Sequence, residues 1–172
     1  YEKLFTNDII LTAFRNTLIV ALVAGVCAVI LGTLAAIGIN AMSHKMQSLL
    51  LNVTYIPMMN PDIVTGMSMM LFFAAVMGIL KLADYNDIGF AAMLIAHTTF
   101  CLPYVILSVL PRINELGDSL SEAAMDLGCT PFQAFYKVTL PEIMPGIISG
   151  GIMAFTMSLD DFVISYFVSG LD

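Results

Sequence analysis

Residues 17–39, TLIVALVAGVCAVILGTLAAIGI, run for 23 residues without one charged side chain. Wound as an α-helix, that stretch is about 34 Å long at roughly 1.5 Å per residue, enough to cross the hydrocarbon of a bilayer. No water-soluble fold of 172 residues has an easy use for it. The rest of the chain agrees, being 59% hydrophobic and only 11% charged. That composition predicts an all-α membrane protein, since a lipid-embedded backbone must satisfy its own hydrogen bonds and helices do so within one segment. The formal charge of −7 argues against nucleic acid, which wants a basic face, and is compatible with cationic cargo. Residues 1–8 are mixed polar with no basic start into a short apolar core, so no cleavable signal is read there. The chain does not begin with Met, and the expectation is a segment of a longer gene product.

Three further spans follow the first. Leu49–Leu80 is apolar but interrupted by Pro57, Asn60, Pro61 and Asp62; a break is expected near 57–62, then a span from about Ile63 to Leu80. Residues 88–110 make a third span, kinked at Pro103, and 143–159 a fourth. Residues 40–48 and 81–87 read as polar loops. The N-terminal segment reads as an interfacial helix capped by Asn7 or Asp8, with the chain turning into the membrane at Asn16. Two ridges of small residues, Ala24, Ala28, Gly32, Ala36 and Gly146, Gly150, Ala154, Ser158, recur every four positions and predict close helix contacts. Lysine and arginine counts do not orient the chain: Lys45, Arg112 and Lys137 on one side balance Lys3, Arg15 and Lys81 on the other.

Residues 111–142 differ in kind. Ser119 with Glu122 and Thr130 with Gln133 both fit capping boxes, Pro131 takes the first helical position, and Gly128 stands where a left-handed cap would end the first helix. The sequence specifies two short helices at a sharp corner, with Leu120, Ala124 and Leu127 lining one and Phe132, Phe135 and Tyr136 the other. Such a pair is too polar for lipid and too apolar to stand alone in water, so it is expected to dock on something.

The spacing Glu122-Ala123-Ala124, three residues, Gly128, nine residues, Val138, one residue, Leu140-Pro141 resembles the EAA loop of ABC importer permeases; only Val138, where the family has Ile, departs. The resemblance implies a multi-span helical permease core in the cytoplasmic (inner) membrane, with 111–142 as a cytoplasmic coupling loop seated in a groove of an ABC ATPase. The physical logic fits: Ala123 and Ala124 keep the helix slim, Glu122 caps or reaches basic groups, and Gly128 permits the corner. Segments 157–170 (MSLDDFVISYFVSG), 96–112, 60–66 (NPDIVTG) and the opening YEKLF resemble the C-type permeases of spermidine/putrescine importers. That implies a second permease subunit, a pair of ATPase subunits holding ATP and Mg, an extracytoplasmic binding protein, and no cofactor or covalent chemistry on this chain. Against that family, residues 1–172 read as one permease domain lacking the first and last spans.

The path residues follow from cation chemistry. Carboxylates and aromatic faces together satisfy ammonium groups, which singles out Asp160, Asp161, Phe162 and Tyr166, with Asp62 beside the helix break. Adjacent residues on a helix point about 100° apart, so Asp160 and Asp161 do not both face a path. An alternative stays open: Ser158 with Asp161 has capping spacing, and the acids would then start an external helix. For Asp62, capping the helix after Pro61 is the favoured reading. Mid-span His97 is expected to hydrogen-bond a neighbouring helix rather than move protons. Cys27, Cys101 and Cys129 fit no metal or disulfide pattern and read as small buried hydrophobes. Other cargo such as ferric iron or a phosphonate, a membrane subunit without an ATPase, and an intramembrane enzyme remain alternatives; the last is disfavoured because the chain has only two histidines, His44 and His97.

Overall fold

A computed structural model describes residues 8–80, 85–117, 119–161, 163, 165 and 166. Its helices are α1 (Asp8–Asn40), α2 (His44–Met59), α3 (Asp62–Leu80), α4 (Tyr85–Leu116), α5 (Ser119–Asp126), α6 (Pro131–Ala134) and α7 (Leu140–Asp160), with a π-helical turn, Phe135–Thr139, joining α6 to α7. The described residues contain no strand. Leu11–Asn40, Ala91–Leu116 and Pro131–Asp160 are each long and apolar enough to cross a membrane; α2 and α3 make a fourth only as a pair bent by 103°.

Helices α1, α4 and α7 pack on one another and form the body. Both small-residue ridges face inward: Ala24, Ala28, Ala36 and Ala154 are fully buried, as is the side of α4 carrying Val105 and Val109. A β-carbon added to Gly146 would lie 2.9 Å from the Ser108 carbonyl oxygen, and one on Gly150 would lie 3.1 Å from the Val105 α-carbon. The backbones touch because nothing stands between them. Large apolar side chains point the other way, with Leu22, Ile30, Leu34, Ile148 and Ile152 all exposed. A small-residue interior with an apolar exterior is the pattern of a bundle whose solvent is lipid. Four polar side chains along the spans satisfy themselves: Thr98, Thr99, Ser108 and Thr156 each donate to the carbonyl four residues back.

Several expected boundaries move. The chain does not turn at Asn16, because α1 runs unbroken from Asp8 to Asn40; polar residues at a helix end reach the headgroups without interrupting the helix. The loop expected over 40–48 shrinks to residues 41–43. Pro57 sits inside α2, and the break falls at Asn60, held extended at φ −79°, ψ 142° by the proline that follows it. The helix restarts at once, since the Pro61 carbonyl accepts from Val64 and Thr65. Helix α4 passes through Pro103 and Pro111 to Leu116, so the expected loop loses its first six residues to a span. Of the loop expected over 81–87, residues 81–84 lie outside the described residues.

The largest difference is at the second short helix. It is the first turn of a helix that continues from Pro131 to Asp160 through the π turn. That turn changes which side faces where. In an uninterrupted α-helix Phe132, Tyr136 and Ile143, spaced by four and seven residues, share a face, and Ala134 lies two and a half turns from Ile143, on the opposite side. Instead Ile143 and Ala134 are both fully buried, while Phe132 and Tyr136 are 78% and 63% exposed. The extra residue of the π turn rotates the corner against the span.

Candidate functional site

The corner is built as its residue types require. Gly128 takes φ +93°, a left-handed conformation that costs other L-residues energy. The Gly128 amide donates to the Met125 carbonyl and the Cys129 amide to Ala124, closing helix α5. The Gln133 amide donates to Thr130 Oγ1 at 3.4 Å and the Thr130 amide donates to Gln133 Oε1 at 3.2 Å, a complete capping box with Pro131 at its start. The side chain of Ser119 lies outside the described residues, so the first expected box has no structural account.

Glu122 and Ala123 are exposed on α5 and Ala124 turns inward. Val138 falls in the π turn, and Leu140 and Pro141 open α7. The whole spaced set therefore lies at one end of the bundle. Around it Leu127 (88%), Phe132 and Tyr136 are open, more large apolar surface than a loop in water tolerates without a partner. Leu127 does not line α5 as expected; it stands past the helix end. Behind the corner a cavity of about 400 Å³ separates α5 from the ends of α1 and α4, lined among others by Asn40, Asn114, Ser121 and Thr139.

The second cluster lies at the far end of α7, which stops at Asp160, with Asp161 at φ −79°, ψ 85°. This break is level with His97 and Cys101, midway along α4. Cys101 Sγ donates to the Ala154 carbonyl at 3.3 Å. His97 is buried, its Nδ1 3.0 Å from Ser158 Oγ and its Nε2 3.1 Å from Ser165 Oγ. Ser158 thus sits inside α7 facing His97 and does not itself start a helix, whereas Asp161 stands between α7 and the helical residues 163, 165 and 166. The expected partner of His97 is identified, and Ser165, which sequence reasoning missed, completes it. Ser158 and Ser165 are seven residues apart, a helical same-face spacing that alone gives no hint of a histidine between them.

Asp62 opens α3 and Asp161 follows the end of α7, yet both carboxylates are within electrostatic reach of the Tyr104 hydroxyl on α4. Asp62 is the first residue of α3, exposed, in the first turn where a carboxylate favours the helix dipole. Asp160 is exposed, Asp161 half-buried and Tyr166 exposed; Phe162 lies outside the described residues. Of the cysteines only Cys101 is buried; Cys27 is exposed and Cys129 half-buried, which corrects the expectation for both. Among the described residues no three ligating side chains converge on a metal-sized space.

Membrane-length helices joined through a capped corner, one of them stopping level with the middle of another, define a multi-pass membrane protein. Residues 28–171 match the family described as binding-protein-dependent transport system inner membrane component, and the chain belongs to that family. It is similar to the putrescine transport system permease protein PotI of Escherichia coli K12, at 41% identity over 99% of this chain and 60% of the relative. It is also similar to the spermidine/putrescine transport system permease proteins PotC of Haemophilus influenzae (38%, covering 99% and 63%) and of Escherichia coli K12 (34%, covering 99% and 61%). The chain thus spans about three-fifths of the length of these relatives.

Proposed function

We propose that the chain is the translocating subunit of an ATP-driven importer of polyamines, paired with a second permease subunit and served by an extracytoplasmic binding protein. ABC ATPase subunits holding ATP and Mg grip the 119–141 corner from the cytoplasm, and this chain performs no covalent step. The observation that carries the reading is the exposed apolar corner. Its Leu127, Phe132 and Tyr136 lie beside Glu122, Ala123, Ala124 and Gly128, and Phe132 and Tyr136 stand on the helix Pro131–Asp160 that continues into the span. A motion imposed there reaches the membrane as a rotation or tilt of α7, which is what alternating access needs.

The cargo is read from the other cluster and from the relatives' names. Helix α7 ends at Asp160, and the partial negative charge of its C-terminus adds to the carboxylates of Asp160 and Asp161. Asp160, Asp161, Phe162, Tyr166 and Asp62 make the proposed polyamine path. Uptake of radiolabelled putrescine and spermidine by cells carrying the full-length protein tests the reading. Asp161→Asn is expected to lower uptake at least fivefold, and deletion of Glu122–Ala124 to abolish both uptake and recovery of the ATPase. Undiminished uptake after that deletion refutes the coupling role. Absence of polyamine uptake by the unaltered protein, with another small solute transported instead, refutes the cargo and leaves the fold reading intact.

A further inference from the structure

The break in α7 is bridged from outside by a side chain of α4. His97 lies on α4 and is 1% exposed, and its two ring nitrogens reach Ser158, one turn before the break, and Ser165, one turn after it. With a neutral ring, the serines fix which nitrogen carries the hydrogen. Ser165 Oγ–H donates to the Asp161 carbonyl at 2.9 Å, so toward His97 its oxygen accepts. Nε2 therefore carries a hydrogen, and Nδ1 of the neutral ring accepts from Ser158 Oγ–H. Both ring nitrogens are satisfied, and Ser165 makes to the Asp161 carbonyl the same four-residue back-bond seen elsewhere along the spans.

We infer that His97 is a positioning residue: it clamps both sides of the α7 break to α4 and so fixes the backbone at Asp161. The inference rests on reading residues 160–166 as part of the path, since only there does the placement of Asp161 matter to transport. A buried histidine that merely filled space would not bridge two hydroxyls flanking one interruption. An imidazole also has the two opposed polar atoms, one donor and one acceptor, that the bridge uses.

The test reads the position of residue 161 directly. Asp161→Cys is placed in a full-length protein, assembled with its partners, from which Cys27, Cys101 and all other cysteines have been replaced, Cys101 by Ser. Its rate of modification by a small cationic methanethiosulfonate is then measured in membranes. His97→Leu, which keeps the bulk and loses both bonds, is expected to change that rate at least tenfold. His97→Gln, which retains one donor and one acceptor, should stay within threefold of the parent. The Ser158→Ala/Ser165→Ala double variant should match His97→Leu, and adding His97→Leu to it should change the rate less than twofold further. A His97→Leu rate equal to the parent's, or effects that multiply in the combined variant, overturns the inference. If His97→Leu fails to reach the membrane, the serine pair decides: a tenfold change supports the clamp and an unchanged rate overturns it. Normal uptake by Asp161→Asn refutes the path reading instead, because the modification rate still reports the clamp.

Discussion

Close contact between α4 and α7 is the feature of the bundle most open to quantitative attack, and Gly146→Ala is the sharpest probe of it. The added methyl would sit 2.9 Å from the Ser108 carbonyl oxygen, 2.9 Å from Arg112 Cγ and 3.4 Å from the Val109 α-carbon. Arg112 is a long side chain that swings aside, but the Ser108 oxygen and the Val109 α-carbon are backbone and move only if the helices separate. Overpacking of that kind costs about 1–3 kcal/mol. Removing a helix-interior glycine returns roughly 0.5–1 kcal/mol. The expected net is a loss of about 0–2.5 kcal/mol by that balance. Gly38→Ala isolates the favourable half, since a β-carbon there meets nothing within 4 Å, and Gly25→Ala is nearly as free, with Phe155 at 3.8 Å. The assay is denaturant unfolding of the purified full-length protein in micelles, followed by helix content. Gly146→Ala should fall below Gly38→Ala by about 1–3 kcal/mol, the overpacking term alone. Equal midpoints for the two variants would refute the claim that α4 and α7 meet backbone to backbone.

Two further perturbations address the corner. Gly128→Ala meets no neighbour within 4 Å, so its cost is confined to the left-handed backbone at φ +93°, about 1–2 kcal/mol. Recovery of the ATPase with the tagged permease should drop, and Gly128→Asn, whose side chain tolerates that conformation, should recover most of it; equal losses would point to contact rather than conformation. Deletion of Lys137 removes the extra residue of the π turn and lets Pro131–Asp160 wind as one α-helix with both ends in their present register. Assembly and uptake should survive it, whereas deletion of Ile148, in the regular part of α7, turns everything before it by about 100° and should abolish both. Comparable outcomes for the two deletions, scored by ATPase recovery, would contradict the rotational role given to the π turn.

What was legible beforehand has one thing in common: it is decided within a few residues. Gly128 forces a corner because of its own φ, Thr130 and Gln133 close a box across three positions, and Pro61 breaks the α2–α3 pair by acting on Asn60. The small ridges were legible for the same reason, since four-residue spacing is local and Ala and Gly have little else to do in a span. The EAA spacing is local as well, which is why it pointed to the corner before any fold was known.

What escaped the sequence is register between elements. Nothing in the string FQAFYKVTLP marks an inserted residue: Pro57, Pro103, Pro111 and Pro145 all sit inside helices assigned as α-helix throughout, so Pro141 alone does not predict the π turn. The turn becomes intelligible only when Ala134 must face α5 while Ile143 faces the core, a demand that exists once the two are packed. His97 is the same case across a longer separation. Its partners lie 61 and 68 residues away, and their roles depend on α7 stopping at Asp160. Both features lie along one helix, at its root beside the corner and at its interrupted far end, with a close-packed glycine seam between. If a motor moves the corner, α7 is the element stiff enough to carry that motion, and the His97 clamp is where it would be converted into a change at Asp161. A functional α7 severed from α4 at His97 would contradict this linkage more directly than any defect at the corner.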